Sequence, residues 1–194
     1  MLDKRYQVFI STSGSEMQPE RMVLTQTLVG MGFFSWGLEQ RTPLSTSYAR
    51  RQIDDCDYVV LLLGSQYGEQ SVSGVGYMHL EYIYAVTKQK PMIVFMHEDP
   101  DSRDASLQDA KPELREKFKE FRRLLQQEVD QVFCYRSLRD LELAVRFNMP
   151  QMLERYPVVG WVRPQNTQAL HDEIEQLQAK VAQLKNELGK TEAD

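Results

Sequence analysis

An acidic side chain that follows a buried-looking strand is the feature of this sequence best placed to do chemistry. The apolar run Tyr58–Leu63 leads into a glycine-flanked turn at 64–68 and then into a predicted helix that carries Glu81. In an open α/β sheet, this order places side chains above the carboxyl ends of the strands, where ligands bind. Glu81 is therefore the candidate catalytic group. The alternative is an ordinary solvated glutamate on a helix surface.

The loop after the first apolar run is the candidate substrate-binding segment. It reads STSGS at 11–15 and begins with Ser11, Thr12 and Ser13. Small hydroxyl side chains and a glycine let backbone amides approach a phosphate or a ribose, and the N-terminus of the next helix favours an anion. Neither a Walker pattern nor a GxGxxG pattern is present, so a classical nucleotide-binding loop is not indicated. The alternative is an ordinary strand-to-helix turn.

Further candidates lie near the predicted strand ends. Arg21 could reach an anion in the cleft, or it could form a structural pair with Glu39. Aromatic rings could stack on a base or a nicotinamide ring, although such rings more often close the top of a core. The substrate-binding candidates in this group are Arg21, Trp36, Glu39, Tyr67, Gly68 and Tyr77.

No metal site or cysteine nucleophile is indicated. The three histidines, His79, His97 and His171, show no ligand spacing, and Cys56 and Cys134 form no CxxC motif. We therefore expect no metal, no resident cofactor and no disulfide, which fits a reducing compartment.

Strand-like and helix-like segments alternate along the first 156 residues. Almost wholly apolar runs are typical of strands buried on both faces of a parallel sheet, and the alternation predicts a doubly wound α/β fold with helices on both faces. The predicted strands are 6–11, Phe33–Trp36, Tyr58–Leu63, 92–96 and an edge strand at Val132–Tyr135. The predicted helices are 19–31, Ser45–Asp55, 78–88, 112–129 and one from Ser137 to about 153, which Pro150 is expected to kink or end. Residues 98–110 are predicted to be an exposed loop.

The C-terminal part has a different pattern. Residues 157–166 are predicted to be a linker or an added edge strand, and residues 167–190 a coiled-coil helix. Apolar residues recur there at intervals of 4, 3, 4, 3 and 4, with β-branched residues at one seam position and leucine at the other, a pattern that favours parallel two-stranded coiled coils. We expect self-association through this seam, and the alternative is packing within the chain. The seam residues are Leu170, Ile174, Leu177, Val181, Leu184 and Leu188.

Composition narrows the functional classes. The 194 residues carry a net charge of −5, which argues against a general nucleic-acid binder. No apolar run approaches the roughly 20 residues needed to span a bilayer, so we expect no membrane insertion and a cytoplasmic location.

Several motifs, taken together, resemble a known family. VFISTS at 8–13, ERMVL at 20–24, GFFSWGLE at 32–39, IDDCDYVVLLLGSQYG at 53–68 and LEYIYAV at 80–86 are similar to the TIR-like "domain of unknown function 4062" family. The resemblance implies a flavodoxin-like sheet related to TIR and nucleoside 2-deoxyribosyltransferase-like domains. Many of those relatives cleave or exchange an N-glycosidic bond of NAD or of a nucleoside. They use a glutamate on the helix that corresponds to 78–88, which by position is Glu81.

The resemblance leads to three functional hypotheses. The first is a nucleotide-binding domain that cleaves the N-glycosidic bond of NAD, with NAD as substrate, regulated by oligomerisation and acting in bacterial defence or stress signalling. The second is a non-catalytic interaction module that assembles through the coiled coil and recruits a protein partner. The third is a nucleoside deoxyribosyltransferase.

Overall fold

The computed structural model describes residues 4–37, 45–162 and 164–191, with side chains from 168 to 185 in the last range. The described residues divide into two compact units. The larger unit is Tyr6–Gly160. The smaller unit consists of the residues up to Arg5 together with those from Trp161 onward. Glu39 lies outside the described residues, so its expected pairing with Arg21 does too.

The larger unit is built on a five-stranded sheet in which every neighbouring pair of strands is parallel. The strand order is β2-β1-β3-β4-β5, the flavodoxin-like order in which the chain reverses direction across the sheet between β1 and β3. The strands are β1 Tyr6–Thr12, β2 Phe33–Trp36, β3 Tyr58–Leu63, β4 Met92–His97 and β5 Val132–Tyr135. The predicted α/β class and all five predicted strands are confirmed.

Helices cover both faces of this sheet. Alternate residues along β3 point to opposite faces, and all six of its residues are buried. One face packs against α1 Gln18–Gly30 and α5 Leu138–Arg155. The other face packs against α2 Ser45–Asp55, α3 Tyr77–Thr87 and α4 Pro112–Glu128.

The expectations for helix α5 and for the segment 98–110 are wrong in part. Helix α5 does not end at Pro150 but continues to Arg155, because buried Met149 and Met152 hold both sides of the proline on the sheet. The segment 98–110 is not wholly exposed. It contains two short 3-10 turns, and the side chain of Arg103 and the residue Asp109 are each 7% exposed.

The smaller unit contains the last helix, α6 Pro164–Thr191. Before it, Arg5 and Trp161 form an antiparallel bridge through two backbone hydrogen bonds of 2.8 and 2.6 Å. In α6, every described side chain from 168 to 185 is exposed apart from the partly buried Leu170. No helix in the described part of the chain has the length and apolarity required to cross a membrane.

Candidate functional site

Glu81 lies in a buried position beside the carboxyl end of β1. It is only 6% exposed, so it is not the solvated helix residue of the alternative interpretation. Its Oε2 accepts a hydrogen bond of 2.5 Å from Oγ of Ser11, which is itself fully buried. Ser11 pairs with Leu61 in the register between β1 and β3. The carboxylate therefore lies at the two strands between which the sheet order reverses, the place where ligands bind in open α/β sheets.

Helix α3 brings Glu81 to this place through its helical periodicity. Met78, Tyr82 and Ala85 are buried, with spacings of four and three residues, and they pack α3 on the sheet. Glu81 precedes Tyr82 and shares the inward side of the helix. A carboxylate here has been removed from water, which makes any interaction with a developing positive charge stronger than it would be at the surface.

Ser11 and Thr12 are the last two residues of β1, and their side chains point to opposite faces of the sheet. Ser11 donates to Glu81 on the side of α3, whereas Thr12 Oγ1 lies 3.5 Å from Nη1 of Arg21 on α1. A cavity of about 380 Å³ opens beside Thr12 and Arg21. Guanidinium and hydroxyl donors together suit a phosphate or another anion. The full lining is Thr12, Gly14, Ser15, Gln18, Arg21, Met22, Thr25 and Gln26.

Ser13 lies in the loop between β1 and α1 and holds the 3-10 turn Ser15–Met17 that precedes the helix. Its Oγ donates a hydrogen bond to Oε1 of Glu16, and both residues are buried. Burial raises the pKa of the Glu16 carboxyl, and the hydrogen bond from Ser13 acts in the opposite direction. Glu16 was not among the expected site residues, and the signal that could have found it is the acidic–apolar pair Glu16–Met17 directly after the hydroxyl-rich run.

The loop after β3 contacts the loop after β1 at Gly68. The φ angle of Gly68 is +80°, and a Cβ atom on this residue would lie 2.3 Å from the carbonyl oxygen of Ser13. Only glycine fits this approach of two backbones. Gly68 therefore acts structurally in joining two loops that border the candidate site.

The three aromatic candidates differ in their surroundings. Tyr67 is 4% exposed, packs on Phe121 and has its hydroxyl 3.0 Å from Nδ1 of His79, as expected of a residue that closes the core. Tyr77 is half-buried at the start of α3. Trp36 ends β2 and is 49% exposed, so a large part of its ring faces solvent.

A buried ion pair lies across the end of β3, and sequence reasoning missed it. Nη2 of Arg103 is 2.7 Å from Oε1 of Glu20, and the two side chains are 7% and 8% exposed. Nη1 of Arg103 also lies 3.1 Å from Sδ of Met17. A Cβ atom at Gly64 would be 1.9 Å from that nitrogen, so Gly64 leaves the space that Arg103 occupies. Oε2 of Glu20 is buried and has no hydrogen-bond partner among the described residues.

Two further contacts hold the segment 98–111 over the carboxyl edge of the sheet. Oδ2 of Asp109 accepts a hydrogen bond of 2.6 Å from the backbone amide of Tyr67. Ser65 Oγ donates one of 2.7 Å to the carbonyl of Leu107. Burial raises the pKa of the Asp109 carboxyl. We name residues 98–111 the covering segment, because they cover the end of β3 next to the candidate site.

Metal-binding side chains do not converge in the part of the chain that the structure describes: no group of three or more His, Cys, Asp or Glu residues could hold an ion there. The side chains described around Glu81, Thr12 and Arg21 supply carboxylate, hydroxyl and guanidinium groups.

The chain belongs to the family described as Domain of unknown function (DUF4062), whose model matches residues 7–150. No curated protein matches the chain significantly. Among solved structures, the fold is similar to the Clostridium botulinum CMP N-glycosidase BcmB, with 14% identity, a TM-score of 0.49 and coverage of 73% of this chain and 98% of that one.

Two other solved structures are similar at comparable levels. The RPS4 and RRS1 TIR domain heterodimer gives 11% identity and a TM-score of 0.49, with 79% of this chain and 99% of that chain covered. The acetyl xylan esterase AlAXEase gives 12% identity and a TM-score of 0.39, with 88% and 98% covered. Likenesses at these scores assign no activity to this protein.

Proposed function

We propose that the larger unit binds a nucleotide at the carboxyl edge of its sheet and cleaves the N-glycosidic bond, with Glu81 as the catalytic carboxylate. One observation carries the proposal: a buried carboxylate on α3 is held by the hydroxyl of Ser11 where the strand order reverses. The position of Glu81 in the LEYIYAV motif, which is part of the resemblance to N-glycosidic-bond-cleaving domains, supports this role.

The chemistry follows from the charge that develops in the reaction. As the bond from the sugar to the base breaks, the sugar carbon gains oxocarbenium character, and an adjacent carboxylate stabilises that charge or attacks the carbon. Ser11 would act as a positioning residue, since its hydrogen bond fixes the orientation of the carboxylate relative to the sheet. Water would then complete hydrolysis, whereas a second base would give exchange.

The proposed substrate-binding residues lie at or beside the carboxyl ends of the neighbouring strands β1 and β2. Thr12 and Arg21 would hold phosphate groups in the cavity of about 380 Å³ on the α1 side of β1. The exposed ring of Trp36 would stack on a base or a nicotinamide ring. NAD is the first substrate to test, and nucleoside monophosphates such as CMP have the same type of bond.

The test compares the wild-type protein with Glu81→Gln. Each protein is incubated with NAD, with CMP and with free nucleosides, and the released base is measured by chromatography. Glu154→Gln is the matched control, because Glu154 is an exposed glutamate on α5. We expect base release by the wild type and the control and a loss of at least about 100-fold in Glu81→Gln, with unchanged thermal unfolding. Equal turnover by the folded Glu81→Gln variant would overturn the assignment.

A non-catalytic interaction module is the second candidate. The burial of Glu81 and the covering segment across the end of β3 favour it, because both leave little of this edge open in the unbound protein. No base release from any substrate, by the wild type at high protein concentration, would support the module. Base exchange between free nucleosides without net hydrolysis would instead identify a deoxyribosyltransferase.

The proposed role in bacterial defence or stress signalling rests on the family resemblance and has its own readout. Expression of the wild type in a bacterial host should lower cellular NAD, and expression of Glu81→Gln to the same level should not.

A further inference from the structure

Helix α6 has an exposed apolar stripe. Ile174, Leu177, Val181 and Leu184 are between 49% and 55% exposed and recur at intervals of three and four residues. This spacing places them along one side of a helix of 28 residues. An apolar stripe bordered by polar side chains indicates a surface that associates with another helix.

The charges of α6 are unevenly distributed along its length. Asp172, Glu173 and Glu175 lie in the first half, whereas the second half has three lysines, Lys180, Lys185 and Lys190, and one acid, Glu187. The helix therefore runs from an acidic part to a basic part. A second α6 in the opposite direction has the complementary order of charges, and its macrodipole is also opposed.

We propose that the partner of α6 is α6 of a second copy of this chain, packed antiparallel. In this arrangement Ile174 lies opposite Leu177 of the second copy, and Leu170 lies opposite Val181. Glu173 on each helix then flanks the seam next to Lys180 of the other helix, which gives two attractive pairs related by the dimer symmetry.

Charges distinguish this arrangement from the parallel one that the seam residues alone favour. In a parallel, in-register dimer, the acidic first halves of the two helices lie side by side. The same arrangement brings Lys180 of each helix near Lys185 of the other. Shifting the antiparallel pair by one heptad, so that Leu177 faces Val181, brings Lys180 next to Lys180 of the second copy. Charge repulsion disfavours both alternatives, and charge attraction favours the proposed register, in which Leu170, Ile174, Leu177 and Val181 form the seam and Leu184 lies beyond its apolar contacts.

The antiparallel arrangement has a consequence for the rest of the chain. The two copies of α6 begin at opposite ends of the coiled coil, about 35 Å apart for an overlap of about 24 residues. The dimer would therefore join two chains through their smaller units.

Charge reversal has opposite effects on the antiparallel and the parallel dimer. The dissociation constant of the full chain is measured by sedimentation. Lys180→Glu places two glutamates together in the antiparallel dimer and should raise its dissociation constant by about tenfold, since two pairs change from attraction to repulsion. In a parallel dimer the same change puts a carboxylate beside Lys185 of the other helix, and this attraction should lower the constant. Lys185→Glu is the matched control: it tightens a parallel dimer and leaves the antiparallel one nearly unchanged, because the residues opposite Lys185 at that register, at 164–166, are uncharged in the sequence.

Disulfide trapping provides a second measurement that does not depend on charge. Ile174→Cys and Leu177→Cys are made separately in a Cys134→Ser background, since Cys134 is exposed and Cys56 is buried. The antiparallel dimer predicts a cross-link only when the two variants are mixed. Cross-linking of each variant alone would overturn the orientation, and a wild-type protein that stays monomeric at high concentration would overturn the proposal.

Discussion

Ser11 and Glu81 are 70 residues apart in the chain, and a hydrogen bond of 2.5 Å joins the serine hydroxyl to the glutamate carboxylate. The serine is part of β1, and the glutamate is part of α3. Because both residues are buried, this bond has little competition from water. It fixes the candidate catalytic carboxylate relative to the sheet and makes Ser11 the best test of how Glu81 is positioned.

Replacing Ser11 should impair catalysis more than folding. Ser11→Ala removes one donor from a buried carboxylate, which should lower the free energy of unfolding by about 1–3 kcal/mol. Without this bond the carboxylate should be misplaced, and base release should slow by up to about 100-fold. Turnover and urea unfolding are measured on the same preparation.

Ser65→Ala is the matched control for this prediction. Ser65 is similarly buried, lies just after β3 and donates a hydrogen bond of 2.7 Å to a carbonyl, away from Glu81. It should lose about 1 kcal/mol of stability with little change in kcat. A fall in kcat equal to that of Ser11→Ala would show that the effect of Ser11 is only structural.

The contact between Gly68 and Ser13 predicts an unequal response to alanine at two glycines. Gly68 and Gly74 both have positive φ, +80° and +75°. Alanine at Gly68 must also overcome the contact with the Ser13 carbonyl, whereas the nearest atom to a Cβ at Gly74 is Nζ of Lys117 at 3.9 Å. We expect Gly74→Ala to lower the free energy of unfolding by about 1 kcal/mol, and Gly68→Ala to lower it by at least about twice as much. Equal losses in chemical denaturation would contradict the close approach of the two loops.

The buried ion pair predicts a strong dependence on both partners. Arg103→Met leaves Glu20 as an uncompensated buried charge and should destabilise the protein by about 3–5 kcal/mol. A double variant with Glu20→Leu should recover most of this loss. The control is Lys119→Met, which removes an exposed pair with Glu116 and should change stability by about 0.5 kcal/mol or less. A double variant as unstable as Arg103→Met would show that the loss does not come from the unpaired charge.

The raised pKa of Glu16 predicts a definite pH dependence. Its pKa in the folded protein lies above 4.5, so the folded state retains the proton over a pH range in which the unfolded chain has lost it. Stability from this group is therefore complete at low pH and falls as pH rises from about 4.5 through the folded pKa. Glu16→Gln removes that fall and keeps an acceptor for Ser13. The free energy of unfolding of the variant, relative to wild type, should rise with pH.

Asp54→Asn is a control for which the pH dependence of the free energy of unfolding should have the opposite sign. The hydrogen bond from Lys88 lowers the pKa of the exposed Asp54 carboxyl below 3.8. Its contribution to stability is present above pH 3.8 and is lost as pH falls through the folded pKa. If both variants changed in the same direction with pH, the burial of Glu16 as the cause would be contradicted.

The fold was predictable because its signals are local. The strands β3 and β4 are almost continuous apolar runs, as strands covered on both faces must be. Helix α5 begins where Ser137 and Asp140 form a capping box, and such a start can be read from four residues. The continuation of α5 through Pro150 was missed because burial of the surrounding methionines is a tertiary effect.

The site was less predictable because it depends on contacts between distant segments. Glu20 in the first turn of a helix is typical of an exposed residue that favours the helix dipole, yet it pairs with Arg103 from a segment that reads as a loop. Ser11, Thr12 and Ser13 were predicted as one phosphate-binding loop. Alternation along β1 instead directs Ser11 and Thr12 to opposite faces. The predicted strand ended at residue 11. Had it been extended to Thr12, the alternation of side chains along a strand would have predicted opposite faces for Ser11 and Thr12.

The positions of the two tryptophans have a spectroscopic consequence. Trp36 ends an edge strand of the larger unit, and Trp161 pairs with Arg5 in the smaller one. Each compact unit thus carries its own intrinsic fluorophore, both about half exposed. Emission from a Trp36→Phe protein would report on the smaller unit alone, so the melting of the two units could be followed separately in one chain without an added dye.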